Sequence, residues 1–356
     1  MNLKNDLLDF IKLSSYKSDI TNSGMEVTSF EKSKFSLVPK TAKFFVFENV
    51  IVDRKTGVIL NSNFAPILET LDEMLFWNPT LNLGILGCNK LFEDAISRKL
   101  DKLLDNINEI REGYLDKPFT LDSNINYIYL MHAFGWYPYG HLHDSIQRAF
   151  WFRDNLENTV AICSKTRKLV DFELHLQAAG IKSYIDPNTL PRFFKVPKML
   201  YGTNPAALTS FIPESYNWLI DGYNSLFRQE VTTNKRIYLS RNHVKTGKRG
   251  VINEAELIAF LRNRGFIIFY GSESLKTTYT LFSNADLVIS SHGSALVNTI
   301  FCQNYCRIVE FCPDNRVDLS FKKKFKRAEN YEHYVVKSDS DYNINIELDF
   351  LAALLE

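Results

Sequence analysis

The sequence predicts an α/β protein, and its C-terminal half carries the clearest signals. Between Lys235 and Pro313, strand-like runs of β-branched and aromatic residues alternate with helical patterns, which is typical of a parallel sheet. Polar or charged residues follow each run, and open parallel sheets bind ligands at that edge. The four runs are Arg236–Leu239, Phe266–Tyr270, Leu287–Ser290 and Arg307–Phe311. We therefore predict a site there for an anionic, nucleotide-bearing ligand.

The size and charge of the chain fit a two-domain globular protein. A chain of 356 residues with 45% hydrophobic residues can form two cores, which we place in residues 1–212 and 213–356. The net charge of +1 argues against a nucleic-acid partner, which favours a strongly basic protein face. No apolar run approaches the ~18 residues that span a bilayer, and the N-terminus lacks the apolar core of a signal peptide. We therefore predict a cytoplasmic protein.

The N-terminal half shows a weaker alternation of strands and helices. Residues 43–60 predict a β-hairpin, because two strand-like runs flank a group of turn residues. The Pro- and Asn-rich stretch from Pro187 to Pro213 predicts a connection with only short extended pieces, at the seam between the domains. Further strands are predicted over Asn126–Met131, Thr159–Cys163 and Lys182–Ile185, and helices over Pro66–Phe76, Leu91–Arg111 and Thr166–Ala179.

Helices fill the intervals between the C-terminal strands. Asn253 and Glu256 predict a capping box at the start of the first helix, and Gly265 predicts its end. Further helices are predicted over Leu275–Phe282, Ser294–Phe301 and Ile346–Leu355. The last of these could brace one domain against the other or cover an edge of the sheet.

The segment His292-Gly293-Ser294 is a candidate phosphate-binding turn. It follows a strand and opens a helix, so its backbone N–H groups are available to an anion, and glycine permits close approach. His292 can donate a hydrogen bond to a phosphate. The alternative is a turn that only the local backbone requires.

Ser240 and Arg241, just after the first strand, extend the candidate site. A guanidinium forms paired hydrogen bonds with phosphate oxygens, and the basic loop Lys245–Arg249 follows, so we assign Arg241 and Arg249 to the diphosphate. The loop contains no Walker A motif, and the chain contains no G-x-G-x-x-G sequence. A solvated basic loop is the alternative for its lysines.

Three further residues are assigned to the ribose and base of the ligand. Glu310 lies inside an apolar strand, where a carboxylate is costly unless it is paired or hydrogen-bonded. It could accept from ribose hydroxyls or pair internally with an arginine or lysine. Glu273, which follows a strand, and Asn253, which precedes a helix, are assigned to the same part of the ligand.

In the N-terminal half, His141, Asp144 and Arg148 fall on one face of a probable helix. Such a group suits a general base with its orienting partners. A metal site formed by His141 and Asp144, or a capped helix start with surface histidines, are the alternatives. The cysteines, by contrast, have no zinc-site spacing, and we predict no metal ligands among them.

Two patterns near the C-terminus have a functional and a plain interpretation. Asp339-Ser340-Asp341 matches the D-x-D of metal-dependent sugar transferases, but its polar surroundings favour an ordinary loop. A basic segment could contact anionic lipid at the inner face of a membrane, or form a solvated face. Its residues are Lys322, Lys323, Lys324, Lys326 and Arg327.

The motifs from Ile237 to Pro313 together resemble glycosyltransferase family 61, including its bacterial capsule and lipopolysaccharide members. The similar segments read IYLSR, NEAEL, ADLVISSHGSALVNTIF and RIVEFCP. The segment that holds His141 and Asp144 is similar to the family's His-x-x-x-Asp motif, with one residue fewer between the two and Leu142 in place of an aromatic residue.

The resemblance implies a GT-B-like fold, with two Rossmann-like domains facing a cleft. It also implies inverting transfer from a nucleotide-sugar donor, without metal or cofactor, to a glycan or lipid-linked glycan acceptor. Asp144, or His141 held by Asp144, would be the base. Two other classes stay open: another nucleotide-sugar enzyme such as an epimerase, and a binding module without catalysis.

Overall fold

The structure is a computed structural model, and it is described over part of the chain. The described ranges are residues 44–55, 57–65, 67, 70, 105, 107–131, 145–164, 171–202, 213–227, 234–241, 249–317, 321 and 330–356. The chain divides into two compact units. Unit 1 comprises Met1–Tyr137, Asp144–Thr166 and Ala179–Ser215, and unit 2 comprises Pro138–His143, Arg167–Ala178 and Tyr216–Glu356.

Unit 1 contains a six-stranded mixed sheet in the order β2-β1-β6-β3-β4-β5. Its strands are β1 (Phe44–Asp53), β2 (Ile59–Leu60), β3 (Asn126–Tyr129), β4 (Thr159–Ile162), β5 (Ser183–Ile185) and β6 (Phe193–Gly202). Strand β1 runs antiparallel to β2 and β6, whereas β6, β3, β4 and β5 are parallel. The predicted hairpin is confirmed, and Gly57 turns its loop with φ of 77°.

Strand β6 corrects the prediction of a loosely structured connection over Pro187–Pro213. It has ten residues and lies between β1 and β3 in the sheet. One of the prolines of this stretch, Pro197, lies inside the strand. The register pairs Val50 with Val196 and Glu48 with Lys198, so Pro197 lies opposite Asn49, which adopts φ of 56°. A local irregularity in β1 therefore accommodates a proline that has no N–H to donate.

The described part of unit 1 also contains the 3-10 helices η1 (Arg148–Asn155) and η2 (Pro187–Thr189). Residues 107–116 are helical, so the predicted helix that ended at Arg111 extends further. The predicted helix over Pro66–Phe76 lies almost wholly outside the described residues. Side chains from β1, β3 and β6 form most of the core, and the aromatic residues among them include Phe45, Tyr129 and Tyr201.

Unit 2 contains a five-stranded parallel sheet in the order β11-β10-β9-β7-β8. Its strands are β7 (Lys235–Leu239), β8 (Phe266–Phe269), β9 (Ala285–Ser291), β10 (Arg307–Pro313) and β11 (Tyr331–Val336). The four strands predicted in this region are confirmed, with ends that shift by one or two residues. Strand β11, at one edge, was not predicted. The mixed α/β class of the protein is confirmed.

Helices and 3-10 helices connect and cover this sheet. They are α1 (Phe172–Ala178), α2 (Pro213–Phe227), α3 (Glu254–Arg262), α4 (Leu275–Ser283), η3 (Ser294–Phe301), η4 (Asp314–Arg316) and α5 (Leu348–Leu355). Leu257 and Leu261 of α3 and Leu351 of α5 are buried in one cluster with residues of the sheet. None of the helices in the described part of the chain has the length and apolarity that crossing a membrane requires.

The helix predicted over Ser294–Phe301 is present and is a 3-10 helix. The predicted capping box, by contrast, is wrong. Asn253 precedes α3 but makes no capping hydrogen bond. Its side-chain amide instead donates from Nδ2 to the carbonyl of Ile346 at 2.8 Å and accepts from the N–H of Ile346 at 3.1 Å. The side-chain amide of Asn253 is therefore bound to Ile346, far along the chain, and does not cap the helix.

Candidate active site

The candidate site begins where β7 and β9 end. Leu239 is paired with Ser290 in the parallel register, so the residues that follow these two strands lie side by side. Ser240 and Arg241 follow β7, and His292, Gly293 and Ser294 follow β9. The parallel topology therefore brings the two predicted parts of the site to one edge of the sheet, at the carboxyl ends of the strands.

The guanidinium of Arg241 lies against Gly293. A Cβ atom placed on Gly293 would come within 1.5 Å of Nη1 and 2.7 Å of Cζ of Arg241. Gly293 has φ of 172°, an extended conformation that any residue adopts, so the glycine is needed here for space. The absence of a side chain at this position lets the arginine lie over the start of η3.

Arg241 is a buried cation in a positive environment. Only 9% of the residue is exposed, and its Nε is buried without a hydrogen-bond partner among the described residues. Burial and the charges of Arg249 and Arg316 lower its pKa to about 10, against an opposing effect of Glu254. Arg241 thus remains charged at neutral pH, and an anion would relieve both its desolvation and its repulsion.

Glu254 holds the backbone of Arg241 in place. This fully buried carboxylate accepts from the N–H of Arg241 at 3.1 Å and from the hydroxyl of Tyr238 at 2.8 Å, both through Oε1. Burial and the charge of Glu254 raise the pKa of Tyr238 well above its usual value, so the phenol remains a donor. The start of α3 thereby fixes the end of β7.

Arg249 is held through its backbone. It has φ of 62°, which is uncommon for a residue with a side chain, and its N–H donates to the carbonyl of Asp341 at 3.1 Å. The next residue, Gly250, donates its N–H to Oδ1 of Asn343 at 2.9 Å. The segment 338–346 therefore positions Arg249, which we predicted to bind the diphosphate.

Arg316 is a residue that the sequence analysis missed. It ends η4, three residues after β10, and its guanidinium lies 5.6 Å from the ring centroid of Tyr342. Its charge contributes to the lowered pKa of Arg241. The signal that could have revealed it is its place just beyond a strand end, the criterion that selected Arg241.

Two hydroxyl groups complete this edge. Oγ of Ser240 and Oγ of Ser291 are buried, and neither has a hydrogen-bond partner within the described residues. Ser294 is the first residue of η3, and no side chain caps this helix start. The first N–H groups of a helix have no partner inside the helix, so they can serve an anion.

Glu310 is occupied by internal partners. It has no exposed surface, and three side chains bind its carboxylate. Nδ1 of His292 lies 2.6 Å from Oε1, while the hydroxyl of Tyr331 and Nδ1 of His333 lie 2.8 and 2.9 Å from Oε2. The structure thus resembles the internal-partner alternative, with histidines and a tyrosine in place of an arginine or lysine.

The other two residues assigned to the ribose and base have different hydrogen-bond partners. The amide of Asn253 is bound to the backbone of Ile346. Glu273 follows β8, and its Oε1 accepts from the N–H of Tyr270 at 3.2 Å, while its Oε2 is buried with no partner among the described residues.

Several residues singled out from the sequence lie outside the described part of the chain. They are His141, Asp144, Lys245, Lys248, Lys322, Lys323, Lys324, Lys326 and Arg327. Arg148, expected beside His141 and Asp144, is fully buried, and its Nη1 donates to the carbonyl of Gly202 at 2.9 Å.

Asp339 organises its own loop. Its Oδ1 accepts from the N–H groups of Asp341 and Asn343 at 2.8 and 2.9 Å, and its Oδ2 accepts from Nδ2 of Asn343 at 3.0 Å. Hydrogen bonds from Asn343 lower the pKa of this carboxyl group. The arrangement is that of a side chain that stabilises a turn.

Comparison with known proteins supports the family resemblance. The sequence model of the family Glycosyltransferase 61 matches residues 139–309. This range includes Arg241, Gly293 and the segment with His141 and Asp144, and it ends one residue before Glu310. A search of curated proteins gave no match.

Proposed function

We propose that this protein is a glycosyltransferase that moves a sugar from a nucleotide-sugar donor to a hydroxyl group of a glycan acceptor. The observation that carries the proposal is the buried, repelled cation of Arg241 lying over Gly293 at the carboxyl edge of a parallel sheet. The match to Glycosyltransferase 61 over residues 139–309 supports the reaction class. Synthesis of a bacterial surface polysaccharide, such as capsule or lipopolysaccharide, is the role we propose for the reaction.

The donor diphosphate would bind at this edge. Arg241 and Arg249 would neutralise its charge, and Ser240, Ser294 and the N–H groups at the start of η3 would donate hydrogen bonds. As the bond to the anomeric carbon breaks, negative charge grows on the nucleoside diphosphate that leaves. A fixed donor aimed at such charge contributes ~3–4 kcal/mol to the lowering of the barrier, so loss of Arg241 should reduce turnover ~10²–10³-fold.

The acceptor would be activated in the N-terminal half. Asp144, or His141 held by Asp144, would remove the proton from the acceptor hydroxyl as its oxygen attacks the anomeric carbon. An attack from the side opposite the leaving group inverts the anomeric centre. We propose a GT-B-like arrangement for the reaction, with no metal and no cofactor, in the cytoplasm or at the inner face of the membrane. Full activity of Asp144→Asn would exclude Asp144 as the base.

The first test is calorimetric binding of UDP, GDP, CMP, TDP and ADP in EDTA. We expect one diphosphate to bind to the wild type and to lose most of its affinity for Arg241→Ala. The matched control is Arg236→Ala, which removes an exposed arginine from the opposite end of the same strand and should bind normally. Binding that needs a divalent ion would contradict metal independence, and no binding under either condition would contradict the donor site.

Product analysis tests the reaction itself. The donor identified by binding is incubated with candidate glycan acceptors, and the linkage formed is determined by NMR. A new glycosidic bond of inverted configuration is the expected result. Conversion of the donor sugar without any acceptor would instead indicate an epimerase.

A further inference from the structure

The carboxylate of Glu310 is bound by three side chains that have no role in the transfer reaction as proposed above. Glu310 is fully buried in β10, between β9 and β11. His292 reaches it from the segment after β9, and His333 and Tyr331 reach it from β11. Glu310 and His333 are paired in the register of the sheet, so the contact is built into the strand pairing.

The chemistry of the carboxylate fixes the protons around it. An ionised carboxylate only accepts hydrogen bonds, so both imidazoles must carry a proton on Nδ1. A buried carboxylate without a compensating charge is costly, and a neighbouring carboxylate favours the charged form of an imidazole. One imidazolium beside Glu310 would neutralise this cluster.

The location of His292 connects the cluster to the proposed donor site. His292 directly precedes Gly293, against which the guanidinium of Arg241 lies. Its imidazole is buried, and its ring lies 5.6 Å from that of Phe321. Glu310 contacts its Nδ1, His333 and Tyr331 share that carboxylate, and Arg241 lies against the next residue. An anion bound beside Gly293 would favour the protonated imidazole of His292.

We infer that Glu310 is a positioning residue of the donor site, which orients His292 and allows it to take up a proton when a diphosphate binds. The inference rests on the proposed function, because the ligand is the diphosphate of the donor. Glu310 would thus act through His292, instead of contacting the ribose. His333, whose Nε2 is buried without a partner among the described residues, would be the second histidine of the cluster.

Proton uptake on binding gives the inference a direct measurement. Calorimetry is performed with the nucleoside diphosphate that binds and with inorganic pyrophosphate, in two buffers of different ionisation enthalpy, from pH 6 to pH 9. The wild type should take up close to one proton, and its affinity for both ligands should fall by about tenfold per pH unit above the titration of the imidazole. A wild-type affinity that does not depend on pH would overturn the inference.

Two variants test the roles of Glu310 and His292. Glu310→Gln keeps the size of the side chain but removes its charge, and His292→Gln removes the imidazole. Both should lose proton uptake and bind nucleoside diphosphate and pyrophosphate about tenfold more weakly at pH 7. Tyr331→Phe is the control, because it removes a neutral donor from the same carboxylate and should keep the proton uptake. If Glu310→Gln does not fold, the proton uptake and affinity of His292→Gln decide whether the inference holds.

The ligand without a ribose separates the two roles of Glu310. If Glu310→Gln weakens only the nucleotide and leaves pyrophosphate binding and its pH dependence unchanged, then Glu310 contacts the ribose and the inference is wrong. If the wild type binds no diphosphate at all, the donor site fails, and with it both the proposed function and this inference. Normal binding and unchanged pH dependence in both variants would overturn the inference alone.

Discussion

The guanidinium of Arg241 occupies the space that a side chain at position 293 would need. Its Nη1 lies 1.5 Å from the place of a Cβ atom on Gly293. Since Gly293 is extended, the constraint at this position is one of volume and not of backbone conformation. The arginine after one strand and the glycine after its neighbour are thus a single unit, and either substitution should disturb the other residue.

We predict that Gly293→Ala impairs anion binding. The new methyl group would force the guanidinium away from the start of η3, because the two cannot share one volume. Affinity for the nucleoside diphosphate should fall by about tenfold or more, a loss of roughly 1.4 kcal/mol. Isothermal titration calorimetry on the purified variant measures this change.

Gly265→Ala is the matched control for this glycine. Gly265 follows α3 with φ of 79°, and a Cβ atom there would meet nothing within 4 Å. Alanine at that position should lower the free energy of unfolding by about 1 kcal/mol through backbone strain, without a change in affinity. Equal affinity of Gly293→Ala and the wild type would show that the guanidinium has room to move.

The second prediction concerns the stability of the protein without ligand. Arg241→Met should raise the free energy of unfolding by about 1 kcal/mol, because it removes a desolvated cation that Arg249 and Arg316 repel. Urea denaturation measures the difference. Added diphosphate should stabilise the wild type and leave the variant unchanged. Destabilisation by Arg241→Met would mean that the arginine is compensated in the free protein, and Arg236→Met controls for the loss of an arginine.

The third prediction concerns Arg316. Arg316→Gln should weaken diphosphate binding by about threefold to tenfold, a smaller effect than that of Arg241→Ala, because the side chain is exposed and its charge is screened. The loss should diminish at high salt. Arg264→Gln, which removes another exposed arginine of the same unit, should bind like the wild type. An Arg316→Gln affinity equal to that of the wild type at low salt would remove Arg316 from the site.

The fourth prediction separates two roles of Asn253. Asn253→Ala loses both hydrogen bonds to Ile346 and should lower the free energy of unfolding by roughly 1–3 kcal/mol. If the residue also serves the ribose, the variant should lose affinity for the nucleoside diphosphate but not for pyrophosphate. Thermal unfolding and calorimetry measure the two effects. Asn263→Ala, at the other end of α3, is the control. It should change neither the free energy of unfolding nor the affinity strongly.

The C-terminal sheet was predictable because its information is local. The runs that became β7 to β10 are short, apolar and rich in β-branched residues, and buried parallel strands have this composition. The same runs placed Arg241 and Gly293 at one edge, since carboxyl ends of parallel strands coincide. That Arg241 would lie against Gly293 required the order of the strands as well, with β7 next to β9.

The features that the sequence analysis missed depend on contacts between residues that are far apart in the chain. Strand β11 contains Glu332 and His333, which interrupt its apolar pattern. The strand register places His333 opposite Glu310, which is its partner. Asn253 matched a helix-capping pattern, but Ile346 competes for its amide. The prolines and asparagines of the stretch from Pro187 to Pro213 predict a connection, but β6 accommodates one of them, Pro197, opposite the irregular backbone of Asn49.

The segment 338–346 has a consequence for the order in which the chain matures. It holds Arg249 through Asp341, Gly250 through Asn343 and the start of α3 through Ile346. A nascent chain that has emerged only to residue 337 contains β7 to β11, but lacks the backbone that positions this arginine. Ile344, Ile346 and Leu351 also belong to the apolar cluster of the sheet, and domains generally fold as units. Synthesis of residues 338–356 would therefore precede formation of the proposed anion site.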